Sequence, residues 1–179
     1  MQEFWKEIYG LSISQTSLMN FVTNGSFDLE SAIRQIESVL VKATLLHSDE
    51  TGVRINGKLH WIHSLSNLLA TLYMPHKNRG DVAMNEMNIL PKFIGKLVHD
   101  HWKSYLKFKR IAHYFCNAHH LRELIALQEN EKTHWSKKMI RLLLRTKALK
   151  EKAQLKGKRH LPPSILKRFH ETYQKIIEQ

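Results

Sequence analysis

The chain has 179 residues, 42% of them hydrophobic, which is enough for one domain or for one domain with an appendage. No stretch approaches the roughly 18 consecutive apolar residues of a membrane span, and the acidic start MQEFWKEIYG is unlike a secretory signal. The single cysteine, Cys116, excludes an internal disulfide, and the net charge of +12 favours a polyanionic partner, so we expect a cytoplasmic protein without a membrane partner.

Residues 1–42 have the pattern of two helices. Ser14 or Thr16 is a candidate cap for the first, over Ser17 to Val22, which Asn24-Gly25 is expected to end. Asp28 is the candidate cap of the second, along which apolar side chains recur at helical spacing.

Residues 43–75 have the pattern of strands. The first strand is predicted from Ala43 to Asp49, the second from Val53 to Leu65 and the third from Leu68 to Met74, where Pro75 ends it. Asn56-Gly57 interrupts the second run and is typical of a two-residue hairpin. A bulge within one long strand is the alternative.

Helices and strands then alternate. A helix is predicted over residues 79–90, capped near Gly80-Asp81, and a strand follows from Gly95 to His99. A short helix (102–108), a strand (110–116) and a helix (116–130) come next. Three sequential strands pair antiparallel, whereas a strand reached through a helix pairs parallel. This order predicts an α/β fold, a ribonuclease H-like mixed sheet flanked by helices.

The C-terminal part is helical and basic. Residues 1–106 contain 10 basic and 10 acidic side chains, whereas residues 107–179 contain 18 basic and 6 acidic ones. Because the whole excess charge lies there, nucleic acid is the expected partner, and a merely solvated basic face is the alternative. The candidate DNA contacts are Lys137, Lys138, Arg141, Arg145 and Lys147. We divide the chain into a helical segment (1–42), a catalytic core (43–130) and a basic helical segment (131–179).

Two carboxylates are predicted to meet at one edge of this sheet. Asp49 ends the first strand before an expected Thr51-Gly52 turn, and Asp100 ends the fourth strand, which lies next to the first in this fold. One such Asp alone is more often a turn residue. Two on adjacent strands suit Mg²⁺, and a pair of ions would activate a nucleophile and stabilise the leaving oxygen. Glu50 points to the opposite face from its neighbour.

A third acid and a histidine complete the candidates. Glu123 is the first choice for the third acid, although a solvated helix carboxylate is the alternative reading. His119 is a candidate for lining the site and contacting a phosphate oxygen. Cys116 and His119 have zinc-ligand spacing, but no second ligand pair lies nearby in the sequence.

Several blocks in order resemble the insertion sequence 66 family of transposases. They are HSDETGVRINGKLHWIHSLSN (47–67), the 76–80 segment, LVHDHWKSY (97–105) and CNAHHLREL (116–124). The resemblance implies a ribonuclease H-like DDE enzyme that cuts and joins DNA with Mg²⁺. It also implies that Asp49 and Asp100 are its first two catalytic acids and that other transposase chains are possible partners.

The resemblance lacks one part. In the family the third acid follows a helical insertion, in an Asn-x-x-Glu-Arg-like segment, and nothing over residues 151–179 has that pattern. We therefore expect a truncated transposase in the bacterial cytosol, inactive alone. The alternatives are a non-catalytic DNA-binding remnant and a ribonuclease H-like nuclease that uses Asp49, Asp100 and Glu123.

Overall fold

The computed structural model describes residues 1–131 and 133–178. Lys132 and Gln179, both in the predicted basic segment, lie outside the described residues. The chain divides into two compact units, Met1–Tyr114 and Phe115–Gln179, and each is considered by itself.

The first unit begins with two helices, α1 (Gln2–Tyr9) and α2 (Gln15–Val41). Ser14 caps α2 as predicted, because its side chain accepts a hydrogen bond of 3.0 Å from the backbone N–H of Ser17. The predicted break at Asn24-Gly25 is wrong, since α2 continues through both residues. One glycine inside a helix costs only about 1 kcal/mol relative to alanine, too little by itself to end a long helix.

A five-stranded sheet forms the centre of this unit. Its strands are β1 (Leu45–Ile55), β2 (Lys58–Ser66), β3 (Thr71–His76), β4 (Lys96–His99) and β5 (Ala112–Phe115). Their spatial order is β3-β2-β1-β4-β5, with β2 antiparallel to both β1 and β3 and with β4 parallel to β1. The predicted ribonuclease H-like mixed sheet is therefore confirmed.

The turns between the strands agree with the prediction at Asn56-Gly57 and differ from it at Thr51-Gly52 and Pro75. Asn56 and Gly57 have positive φ angles of 49° and 75° and join Ile55 to its partner Lys58, so they form the hairpin rather than a bulge. Thr51-Gly52 is not a turn, because β1 runs straight through it. Pro75 lies inside β3, which tolerates it because β3 is an edge strand.

The core of the first unit covers one face of the sheet. Helix α3 (Asp81–Glu86) and the segment that follows it supply buried apolar side chains, whereas the predicted helix 102–108 is a single 3-10 turn (Tyr105–Lys107). The most deeply buried members, none more than 2% exposed, are Leu40, Leu46, Leu65, Met84, Ile89, Leu90, Phe93, Leu97 and Tyr105.

The second unit contains three helices in its described part: α4 (Asn117–Glu131), α5 (His134–Leu155) and α6 (Pro163–Ile177). Leu124, Met139 and Ile176, one from each helix, form its small buried core. Gly157, with a φ of 68°, lies just after the end of α5. Among the described helices of the whole chain, none is long and apolar enough to cross a membrane.

Candidate active site

The strand register brings Asp49 and Asp100 together. Leu46 of β1 pairs with Leu97 of β4, and His47 pairs with Val98. Carried two residues further, the same register puts Asp49 beside Asp100, on backbones about 4.8 Å apart. Asp100 directly follows β4 as predicted, but Asp49 lies inside β1 rather than at its end, because the strand continues to Ile55.

The alternation of burial along β1 assigns Asp49 to the face of the sheet opposite the core, and the alternation along β4, extended by one residue, assigns Asp100 to the same face. Along β1, Leu46 and Ser48 are buried, whereas His47 and Asp49 are exposed. Along β4, Leu97 and His99 are buried, and Asp100 follows on the other side of the alternation. The same alternation confirms that Glu50 and His99 lie on the core face.

Each carboxylate has defined hydrogen bonds. Asp49 Oδ1 accepts a 2.9 Å hydrogen bond from the backbone N–H of Glu50. Asp100 Oδ1 accepts one of 2.9 Å from the backbone N–H of Trp102, and its Oδ2 lies 4.0 Å from Nη2 of Arg79. The Asp100 side chain keeps 21% of its surface exposed, so it remains accessible to a ligand.

The core side of β1 carries a buried charged network. The Glu50 side chain is fully buried, and its Oε1 accepts two hydrogen bonds from Arg79, of 3.1 Å from Nε and 2.8 Å from Nη2. Its Oε2 accepts a 2.5 Å hydrogen bond from the hydroxyl of Tyr105, which in turn accepts one of 3.0 Å from Ser48. Burial, reinforced by the charge of Glu50, raises the pKa of Tyr105 far above its usual range, so the hydroxyl keeps the proton that it donates.

Two histidines extend this network below Asp100. His99 is fully buried, stacks on Tyr105 with ring centroids 4.5 Å apart, and donates from Nδ1 to the Asp100 carbonyl at 2.5 Å. Its Nε2 lies 2.9 Å from Nδ1 of His113. Burial lowers the pKa of His99 below its ordinary value of 6.5, so neutral imidazole is favoured there.

Sequence reasoning missed the residues that surround Glu50. The guanidinium carbon of Arg79 lies 3.3 Å from the ring centroid of Trp102 and 4.7 Å from that of Trp61. Trp61 was visible as part of the alternating β2 pattern, and Arg79 and Tyr105 occur in the blocks that carry the family resemblance. Nothing local in the sequence indicated that these residues meet.

The donor set on the open face fits a hard cation. Asp49 and Asp100 offer carboxylate oxygens, which Mg²⁺ prefers in proteins. Glu50 is not available as a ligand, because both of its oxygens are engaged on the core face. In the second unit, Glu123 is exposed and His119 is half-buried, both on α4; their roles stay predictions.

The basic candidates lie on α5, where all five are exposed. At about 100° per residue, Lys137, Lys138, Arg141 and Arg145 fall within about 100° of the helix circumference. We call these four residues the basic stripe. The buried side chains of α5, Ser136 and Met139, lie on the opposite side. Lys147 falls outside the stripe, and its Nζ is 3.8 Å from Oε1 of Glu151.

Comparisons with known proteins place these features in context. The sequence profile described as "Transposase IS66 family" matches residues 1–178. No curated protein sequence matches the chain. The catalytic core domain of the HTLV-2 integrase in complex with magnesium, in a trimeric form, is similar at 14% identity and a TM-score of 0.35, over 60% of this chain and 86% of that one. The intasome of simian T-cell lymphotropic virus with PP2A regulatory subunit B56 gamma is similar at 12% identity and a TM-score of 0.34. That match covers 74% of this chain but only 48% of the other.

Proposed function

Because the chain belongs to the IS66 family of transposases, we propose that Asp49 and Asp100 are two of the carboxylates of a divalent-metal site that acts on DNA. The observation that carries the proposal is the parallel β1–β4 register, which sets both acids side by side on the open face of the sheet. If each Asp were only a turn residue, nothing would require the two to share a register position and a face of the sheet.

The surroundings of the two acids support the same role. Asp100 Oδ1 is oriented by the N–H of Trp102, and Oδ2 faces no donor closer than the 4.0 Å separation from Arg79 among the contacts of the described residues. The chemistry that divalent ions supply at such carboxylates is activation of the attacking oxygen and stabilisation of charge on the leaving one. Asp49 and Asp100 would hold the ions and orient them toward a DNA phosphate.

Calorimetric titration of the full chain with Mn²⁺ and Mg²⁺ tests this assignment. We expect binding by the wild type and its loss in Asp49→Asn and in Asp100→Asn. Asp28→Asn is the matched control, because Asp28 is an exposed carboxylate on α2. The proposal is wrong if the two active-site variants bind metal as the wild type does.

Cleavage requires more than the two acids. A DDE site uses a third carboxylate, for which Glu123 on α4 is the candidate in this chain. Metal-dependent nicking of duplex DNA by the wild type, abolished by Glu123→Gln and by Asp49→Asn, would establish a complete site. Metal binding without nicking would instead support a chain that needs the third acid from another transposase chain.

We also propose DNA binding by the basic stripe, which is the second function that an observation favours. Its four side chains share one exposed side of α5, opposite the buried side of that helix. Basic side chains clustered along one side of a helix are typical of nucleic-acid-binding proteins. This function requires no metal and would persist in a catalytically inactive chain.

Fluorescence anisotropy with a duplex over a range of salt concentrations tests the stripe. Replacing Lys137, Arg141 and Arg145 with glutamine should lower the salt slope by about three, at about 0.9 per lost phosphate contact. The control replaces Lys156, Lys158 and Arg159, which are exposed residues just after α5 with the same total charge. An equal change of the salt slope in both triple variants would show that only net charge matters and would refute DNA binding by the basic stripe.

Self-association is a third proposal and rests on α2. Met19, Phe21, Val22 and Phe27 are each at least 64% exposed, so this helix carries more apolar surface than a monomer usually leaves open. Light scattering should show association that Val22→Glu reduces. A monodisperse wild-type monomer at high concentration would exclude it.

A further inference from the structure

The guanidinium of Arg79 is fixed on one edge by a fully buried acid. Its Nε and Nη2 both donate to Oε1 of Glu50, at 3.1 and 2.8 Å. Glu50 is itself held from the other side by the Tyr105 hydroxyl on Oε2. A carboxylate with both oxygens engaged cannot rotate freely, so the edge of the guanidinium that it binds is also fixed.

Two tryptophan rings contact the same guanidinium. Its carbon is 3.3 Å from the centroid of Trp102 and 4.7 Å from that of Trp61. The planar guanidinium stacks on indole and binds a carboxylate through a rigid fork of N–H groups, whereas a lysine ammonium is a compact point charge with neither the plane nor the fork. The geometry therefore depends on arginine and not on positive charge alone.

The backbone on either side of Arg79 is restrained as well. The carbonyl of Asn78 accepts a 3.3 Å hydrogen bond from Nε2 of the buried His63. Gly80 is buried with a φ of 92°, and a Cβ there would lie 3.1 Å from Oγ of Ser104. Arg79 is thus presented by a short segment with little freedom to move.

The fixed guanidinium also approaches Asp100. Its Nη2 lies 4.0 Å from Asp100 Oδ2, while Asp100 Oδ1 accepts the N–H of Trp102, the residue whose ring stacks on Arg79. Asp100, Trp102, Arg79 and Glu50 therefore form a continuous chain of contacts from the candidate metal ligand to the core. We call this chain of contacts the brace.

We propose that Arg79 is a positioning residue for Asp100, and that the brace holds this carboxylate in the orientation that binds a divalent cation. The proposal rests on the proposed function of Asp49 and Asp100. Because Glu50 neutralises the charge of Arg79, the brace acts through geometry more than through added positive potential. If Arg79 served only as the counterion of buried Glu50, its replacement would change stability and leave metal affinity alone.

Mn²⁺ titration of Arg79→Lys in the full chain separates these two roles, because lysine keeps the charge and loses the planar fork. We expect the dissociation constant to rise about tenfold or more, the usual cost of losing a group that orients a metal ligand. Arg34→Lys is the matched control: Arg34 binds Glu30 at 2.9 Å on the exposed surface of α2, and we expect its affinity to be that of the wild type.

The outcomes distinguish this inference from the proposed function. Unchanged affinity in Arg79→Lys, with Asp100→Asn unable to bind, overturns the brace and leaves the metal site standing. Wild-type affinity in Asp100→Asn overturns both. If circular dichroism shows that Arg79→Lys does not fold, Trp102→Phe is used instead, since it keeps the backbone N–H and weakens the stacking. A weaker affinity in that variant supports the brace, and unchanged affinity overturns it.

Discussion

The hydroxyl of Tyr105 is the most informative single group to remove for testing the buried network. Tyr105→Phe deletes one oxygen from a fully buried side chain and leaves its ring contacts with His99 in place. The loss of packing is therefore small, and the change in stability measures the contribution of the hydrogen bonds of the hydroxyl. The 2.5 Å bond to Glu50 Oε2 disappears, and Ser48 loses its 3.0 Å acceptor while keeping the longer contact of 3.3 Å to the Ser64 carbonyl.

The expected cost follows from the charge on Glu50. Hydrogen bonds to charged groups contribute about 1.5–3 kcal/mol, and the loss of a donor to a buried carboxylate is at the upper end of this range. We therefore expect Tyr105→Phe to lower the free energy of unfolding by about 2–3 kcal/mol. Urea unfolding followed by circular dichroism measures this. Tyr73→Phe is the control, because Tyr73 on β3 is 68% exposed and its change should stay within about 0.5 kcal/mol.

A double-mutant cycle with Glu50→Gln makes the test specific. If the hydroxyl acts on the carboxylate, the two changes should couple by about 1 kcal/mol or more. A Tyr105→Phe variant as stable as the Tyr73→Phe control, or a coupling near zero, would refute the reasoning that Glu50 depends on this donor.

Three further outcomes are expected. Gly25→Ala should raise stability by about 0.4–1 kcal/mol, because Gly25 lies inside α2 and nothing is within 4 Å of its added Cβ; a loss would contradict the continuous helix. Gly80→Ala should instead lower stability by about 1–3 kcal/mol, because its φ of 92° and the nearby Ser104 strain any side chain; a neutral result in thermal melts would argue against this backbone geometry. The lowered pKa of His99 means that the unfolded state takes up a proton at higher pH than the folded state does, so stability should fall as pH drops below 6.5. In His99→Gln the melting temperature should depend less on pH over that range, and a pH dependence equal to that of the wild type would count against the assignment.

Local signals predicted the elements well where a single interaction decides the structure. Ser14 caps α2, and Asn56-Gly57 turns the hairpin, because each acts through its own backbone or its nearest neighbours. The glycines show where such signals become ambiguous. Gly157 follows the end of α5 with a φ of 68°, whereas Gly25 is carried inside α2. A glycine permits a helix to end without requiring it, so the residues around it decide.

The sequence by itself determined that two acids would meet, and tertiary structure decided what surrounds them. Asp49 and Asp100 could be paired from strand order, because that order predicts that the first and fourth strands are neighbours, as β1 and β4 are. Glu50 could be assigned to the opposite face, since side chains alternate along a strand. Its partners could not, because Arg79 lies 29 residues away and Tyr105 lies 55 residues away. A buried carboxylate is stable only where donors from distant segments converge on it, and that convergence exists only once the chain is folded.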